Sequence, residues 1–333
     1  MILPLSARID LLTKLGQYLL SDDAEWEQVK AQAFLHNSWF IPTFIETATQ
    51  ALATQFLAPE PLGAWTAGYR LQEPAHPRTV GLVMAGNLPA VGFHDLLCGF
   101  VSGHRLHIKT ASKDNILIPH FITKLKQWAP EVDQQLVLAE RLNGCDAYIA
   151  TGSNNSARYF QQYFGPYPHI IRRNRTSVAV LDGTETPAEL RALTDDLLLY
   201  FGRGCRNVTQ LLVPEGYDFQ PLLAAMDDYA FLQDVHHYKN NFDYQLSLLL
   251  LNRSYYMTNN TVLLREHPSP FSAVSVVHYT YYSDPAAVRG AMEQSGDLQC
   301  IVGHGQMPFG STQTPGLSTY ADGVDTLAFL QAL

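Results

Sequence analysis

Hydrophobic positions are spaced differently in different parts of the chain. Up to about residue 75, apolar side chains recur at helical spacing, as in Leu11, Leu12, Leu15 and Leu19, and the segment reads as helices joined by loops. From Thr79 the spacing tightens. Thr79 to Met84 is a continuous apolar run of the kind found in a buried parallel strand. It ends at Ala85-Gly86-Asn87-Leu88-Pro89, and Ala90 to Val101 then reads as a helix. A turn at Ser102-Gly103 leads to a second strand, Arg105 to Lys109. A helix follows from near Ile118 to Trp128, with Ile118, Phe121, Ile122 and Leu125 on one face. Gln135 to Ala139 and Asp146 to Ala150 read as strands, and Ser156 to Phe164 as a helix. Strand and helix in alternation predict a parallel sheet covered on both faces.

A fifth apolar piece, Ser177 to Leu181, opens a second domain. Thr186-Pro187-Ala188-Glu189 is a capping box with proline at the first helical position. That helix runs to about Tyr200 and delivers the loop Phe201-Gly202-Arg203-Gly204-Cys205-Arg206-Asn207. Val208 to Val213, Thr261 to Arg265, Ala273 to Tyr281 and Leu298 to Val302 read as further strands. The segment from Phe309 is rich in Gly, Thr, Asp and Pro until Val324. The expected organisation is a cofactor-binding domain over 1–176 with a helical N-terminal segment, a catalytic domain over 177–310, and a C-terminal tail over 311–333.

Composition narrows the function classes. A chain of 333 residues with 16% charged and 47% hydrophobic residues has the make-up of an ordinary folded protein with room for two cores. The net charge of -9 argues against sequence-independent nucleic-acid binding. Leu246 to Leu251 is too short to cross a bilayer, and no basic stretch with a long apolar run opens the chain, so no membrane partner is expected. Cys98, Cys145, Cys205 and Cys300 are widely spaced, His236-His237 are adjacent, and neither pattern suits a metal. The cytoplasm is the expected compartment.

The glycine-arginine loop gives Cys205 a candidate chemistry. Glycine permits positive φ and close approach of a ligand, and Arg203 and Arg206 would favour a thiolate. The alternative is a buried small hydrophobe. Thr151-Gly152-Ser153 follows a strand and opens a helix, where backbone N–H groups can hold a pyrophosphate or simply be capped. No Gly-x-Gly-x-x-Gly is present. Lys109, at the carboxyl end of a strand, could reach a ribose or phosphate, or lie in solvent. Asn87 could donate to an oxyanion or serve the turn. His169 could be a general base or structural. Arg172, Arg173 and Arg175 could meet coenzyme phosphates or form a solvated cluster.

In their order and spacing these motifs resemble the aldehyde dehydrogenase superfamily. The likeness is strongest to its acyl-CoA reductase branch, the type that includes the fatty-acid reductase of bacterial bioluminescence, and it covers roughly residues 78 to 310. Asn87-Leu88-Pro89 matches the family's Asn-Phe-Pro, whose asparagine helps form the oxyanion hole. Lys109 matches the lysine of Lys-Pro-Ser, which holds the adenosine ribose, although Thr110-Ala111 replaces Pro-Ser. Thr151-Gly152-Ser153 matches Thr-Gly-Ser at the pyrophosphate helix, and Gly204-Cys205 the catalytic loop. Glu266, before Pro268-Ser269-Pro270-Phe271, matches more loosely the glutamate of Glu-x-Phe-Gly-Pro, which binds the nicotinamide ribose. The Glu-Leu-Gly-Gly of hydrolytic members has no counterpart, since Ile170 to Asn174 holds no carboxylate.

The resemblance implies an α/β protein of two domains with parallel-rich sheets and an active site in a cleft between them. The implied activity is NAD(P)H-dependent reduction of an acyl thioester to an aldehyde through an acyl-enzyme on Cys205. Asn87 is expected at the oxyanion and His169 as base. Lys109, Gly152, Ser153 and Glu266 are expected at the cofactor. Ser112 and Lys113 would favour NADP(H) over NAD(H), unless Asp114 reaches the ribose. Coenzyme A would be co-substrate, and a homodimer is expected. The alternatives are a hydrolytic aldehyde dehydrogenase, a non-catalytic binding protein, and a cofactor-free acyltransferase.

Overall fold

A computed structural model of the chain describes residues 2–284, 288, 290, 292 and 295–333. Two units divide it: Met1–Asn174 with Pro315–Leu333, and Arg175–Thr314. The boundary falls two residues before the expected one. The expected tail is no tail, because Leu317, Tyr320, Leu327 and Leu330 are buried in the core of the first unit. The Gly- and Pro-rich composition of that segment hides four widely spaced apolar anchors, which form no periodic signal.

The first unit begins with helices α1 (Leu5–Leu19), α2 (Ala24–His36), α3 (Pro42–Ala51) and α4 (Pro59–Tyr69). Asp23 caps α2 by accepting from the Glu25 and Trp26 N–H groups. Then come β1 (Thr79–Val83), α5 (Phe93–Ser102), β2 (Arg105–Lys109), α6 (Leu117–Trp128), β3 (Leu136–Leu138), β4 (Ala147–Thr151), α7 (Asn154–Phe164) and β5 (His169–Arg172). The sheet order is β3-β2-β1-β4-β5, and every pair is parallel. Strand order therefore reverses between β1 and β4, and ligands of open α/β sheets bind outside the carboxyl ends at such a point. β5 was not expected as a strand, because its sequence runs into charge at Arg172-Arg173. Arg172 is nevertheless buried, paired with Asp95.

In the second unit lie β6 (Thr176–Val180), α8 (Pro187–Leu198), β7 (Val208–Pro214), α9 (Gln220–Ala225) and α10 (His236–Leu251). They are followed by β8 (Met257–Thr258), β9 (Leu263–Glu266), β10 (Val276–Tyr282) and β11 (Leu298–Gly303). The sheet order is β11-β6-β7-β10-β9-β8. All pairs are parallel except β8 with β9. Every residue of β6 is buried, which accounts for its apolar stretch Val178–Val180. The capping box of α8 forms: Glu189 N–H donates to Thr186 Oγ1, and Thr186 N–H donates to Glu189 Oε2. Among the described residues no helix is long and apolar enough to cross a membrane.

Candidate active site

Cys205 stands on a short reversal between α8 and β7. Tyr200, Phe201 and Gly202 all have positive φ, at 55°, 63° and 67°. Glycine adopts this conformation freely, whereas each aromatic residue there costs about 1–2 kcal/mol. Burial of both rings holds them in place. The chain then forms a turn closed twice by one residue. Asn207 N–H donates to Gly204 O at 3.1 Å, and Gly204 N–H donates to Asn207 Oδ1 at 2.7 Å. The Asn207 amide also donates to Asp196 O at 3.0 Å and to Leu199 O at 2.9 Å, so two carbonyls at the end of α8 are satisfied. Asn207 is fully buried. Cys205, inside this turn, is half-buried, whereas Cys98, Cys145 and Cys300 are buried. Its carbonyl accepts from Ser177 Oγ at 3.0 Å.

The two arginines beside Cys205 differ from expectation in one respect. Arg206 donates through Nη1 to Cys300 Sγ at 3.4 Å, so a guanidinium expected to serve Cys205 contacts another sulfur. In the same unit, Glu266 ends β9 and is exposed. The segment after it is drawn to the first residues of β7: Gln210 Nε2 donates to His267 O and Pro268 O, each at 3.2 Å, and Thr209 Oγ1 donates to Pro270 O. The strand that follows the Cys205 turn thus also holds the Glu266 loop.

The carboxyl edge of the first unit's sheet gathers the other motif residues. Asn87 lies in the loop after β1, half-buried. Lys109 ends β2, exposed, beside Val83. Gly152 and Ser153 follow β4, where Ser153 caps α7 by accepting from Ser156 N–H at 3.2 Å. A Cβ on Gly152 would come within 2.9 Å of both Phe160 and Ser156, so only glycine lets the turn lie this close to α7. A helix start capped by Ser153, an exposed lysine and a side-chain amide on one edge, at the reversal of strand order, suit a dinucleotide. Ser112 and Lys113 are exposed, and their carbonyls are tied to α2 by His36 Nε2 at 2.8 Å and Asn37 Nδ2 at 3.0 Å.

At the level of sequence, no family model and no curated protein matches the chain. Solved structures do match in shape. An aldehyde dehydrogenase of Mycobacterium tuberculosis complexed with NAD+ is 12% identical, with a TM-score of 0.64 over 90% of this chain and 73% of that one. Aldehyde dehydrogenase 21 of Physcomitrella patens, in complex with succinate, is 11% identical, with a TM-score of 0.63 over 90% and 74%. Betaine aldehyde dehydrogenase of Staphylococcus aureus, bound to NAD+, gives 11% and 0.63 over 90% and 72%. The fold is that of the aldehyde dehydrogenases.

Within this aldehyde-dehydrogenase-like fold two sequence expectations meet obstacles. His169 opens β5 and pairs in register with Tyr148, which is itself level with Gly81. It stands three residues before the carboxyl end of its strand, roughly 10 Å from that edge at ~3.3 Å per residue. Its Nδ1 lies 2.7 Å from Tyr167 O, and it lines a surface groove of about 610 Å³ with Arg158, Arg173 and Asp322. The structure does not bring His169 to Asn87, Lys109 or Gly152. Arg172, one of the arginines considered for coenzyme phosphates, donates to Asp95 Oδ2 at 2.6 Å and to Thr326 Oγ1 at 2.7 Å, and is 3% exposed. It is an internal tie.

Asp114 is likewise withdrawn from any ribose. It is 3% exposed and accepts from Ala90 N–H at 2.7 Å. Burial pushes its carboxyl up to about 6. Sequence reasoning missed Asn207 and Ser177, although Asn207 ends the glycine-arginine loop; the only signal was a polar residue directly before an apolar strand. It also missed a grouping in the second unit, where His304 places Nδ1 2.8 Å from Asp182 Oδ2 and Nε2 3.0 Å from Glu189 Oε1. Asp182, and then Glu189, accept from the ring and raise the pKa of the imidazole.

Proposed function

We propose that this protein is an acyl-CoA reductase that converts an acyl thioester to an aldehyde through an acyl-enzyme on Cys205. The observation that carries the reading is the Cys205 turn: the half-buried cysteine of the four, set after two left-handed aromatic residues and fixed at both flanking peptides. Backbone strain maintained by surrounding packing is a mark of functional sites. Cys205 thiolate attacks the thioester carbonyl carbon, and the carbonyl oxygen becomes an oxyanion. Asn87 and the Cys205 N–H are the donors assigned to it. Collapse expels coenzyme A as thiolate and leaves the acyl group on sulfur. Lys109, Gly152, Ser153 and Glu266 would hold NAD(P)H, which would supply the hydride to the acyl carbon. The second collapse breaks the carbon–sulfur bond, releases aldehyde and returns Cys205 as thiolate.

Two features favour reduction over hydrolysis of the acyl-enzyme. Ile170 to Asn174 contains no carboxylate to activate water, and the strand's buried charge, Arg172, is occupied by Asp95. His169 lies away from the carboxyl edge and is given no catalytic role.

The test is direct. Incubation with radiolabelled acyl-CoA should label Cys205, and addition of NADPH should release aldehyde and free coenzyme A. Cys205→Ala should abolish both. An acyl adduct that still forms on the variant at the wild-type rate would move the chemistry to another residue. Carboxylic acid in place of aldehyde and acyl-CoA exchange would point to a hydrolytic enzyme.

A further inference from the structure

The backbone around Cys205 is fixed more fully than a loop requires. Two peptide planes meet at its Cα. In the first, Gly204 C=O is turned into the turn and accepts from Asn207 N–H at 3.1 Å. In a trans peptide the following N–H points the opposite way, so the Cys205 N–H is directed out of the turn. Asn207 Oδ1 also holds the preceding peptide, accepting from Gly204 N–H at 2.7 Å, so the two peptides that lead into Cys205 are both tied to Asn207. In the second plane, Cys205 C=O accepts from Ser177 Oγ at 3.0 Å. The same oxygen of Ser177 accepts from Cys300 N–H at 3.1 Å, which directs the hydroxyl hydrogen at Cys205. Ser177 and Asn207 are both fully buried. With both planes set, the remaining freedom of Sγ is the single torsion χ1, with three staggered wells.

The anchors are themselves anchored. Asn207 donates to the carbonyl of Asp196, whose side chain accepts from Gly310 N–H at 2.6 Å, Thr312 N–H at 3.0 Å and Thr312 Oγ1 at 2.7 Å. Ser177 lies on β6, the inner neighbour of β11. The Cys205 turn is therefore tied to a central strand on one side and to the end of α8 on the other.

We propose that Asn207 and Ser177 are positioning residues for acyl transfer, setting the direction of the Cys205 N–H toward the oxyanion and of Sγ toward the carbonyl. This rests on Cys205 being the acylated nucleophile. Alkylation of a thiol by iodoacetamide requires only an accessible thiolate. Acylation by an ester also requires an aligned oxyanion donor, so a positioning residue affects the second reaction more than the first.

The experiment compares these two rates at Cys205 in wild type, Ser177→Ala, Ser177→Thr and Asn207→Ser. Alkylation is read by peptide mass spectrometry, with the buried cysteines as internal controls. Acylation is read as the burst of p-nitrophenolate from p-nitrophenyl acetate. Ser177→Ala and Asn207→Ser should lower acylation by about tenfold or more relative to alkylation, short of the roughly 10²–10³-fold cost of removing an oxyanion donor outright. Ser177→Thr, which keeps the hydroxyl, should restore the ratio to within about threefold of wild type. If Ser177→Ala does not fold, as judged by near-ultraviolet circular dichroism, Asn207→Ser carries the same comparison. An unchanged ratio would reduce both residues to packing, and absence of a burst at Cys205 in wild type would also overturn the proposal. Neither assay uses coenzyme A or NADPH, so failure to form aldehyde from acyl-CoA would defeat the proposed reductase activity and leave this result standing.

Discussion

Lys113 and Asp114 are neighbours in sequence with opposite environments. Lys113 is exposed after β2, next to exposed Ser112, whereas Asp114 is turned inward onto Ala90 N–H. A carboxylate that accepts from the ribose 2′-hydroxyl favours NAD and repels a 2′-phosphate. The nearest acid in this loop is withdrawn, and the exposed groups can donate or neutralise. We therefore expect the proposed reductase to prefer NADPH. Lys113→Glu should shift the ratio of kcat/KM values toward NADH by about tenfold, equivalent to ~1.4 kcal/mol. Wild-type enzyme that uses both cofactors equally, or a variant with an unmoved ratio, would count against it. The residue types were legible in the sequence here. Which of two adjacent polar residues faces water was not, because that depends on what packs beneath the loop.

At the scale of elements, the loops after β1 and β2 are interlocked. A Cβ at Gly86 would lie 2.6 Å from Ala111 Cβ and 3.1 Å from Asp114 N, so glycine is required for the loops to approach. Ala90 has a φ of 54°, and Asp114 holds its N–H. The carboxyl is buried, and its pKa stands at about 6, above the 3.8 of the unfolded chain. Between those values the native state binds more proton than the unfolded state, so this group's contribution to stability falls as pH rises from about 4 to about 6. Asp114→Asn keeps the acceptor and removes the titration. The melting temperature of the variant relative to wild type should therefore rise across that window, by the equivalent of on the order of 2–3 kcal/mol. Parallel melting curves from pH 4 to 7 would show that Asp114 is not held this way.

At the scale of the whole molecule, the chain leaves its first unit after Asn174 and returns at Pro315. Arg172 fastens the returning segment. Its guanidinium bridges Asp95 on α5 and Thr326, the first residue of the last helix, Thr326–Gln331. Its side chain is 4% exposed and that of Asp95 12%, so removing one partner leaves a buried charge uncompensated. Arg172→Ala should destabilise the protein by about 3–5 kcal/mol in chemical denaturation. The KM for the nicotinamide cofactor should be unchanged in the folded variant. A variant of normal stability with a raised cofactor KM would return Arg172 to the coenzyme.

The alternation of apolar runs with amphipathic helices determined the parallel sheets by itself, since burial on both faces leaves no room for polar residues in strands such as Val80–Leu82 or Val178–Val180. The capping box at Thr186 and the glycine-arginine loop before β7 were equally legible, because each is a local signal completed within a few residues. The order of Asn87, Lys109, Gly152 and Cys205 along the chain was enough to suggest the fold that the solved structures share. Tertiary structure alone decided what depends on distant partners. It buried Arg172 against Asp95, 77 residues away, and joined Ser177 to Cys205 across 28 residues. It set His169 at the starting end of an edge strand and returned the last segment to the first core. A charge or hydroxyl carries no mark in sequence of the group that will satisfy it, because that pairing forms only when the chain brings the two together.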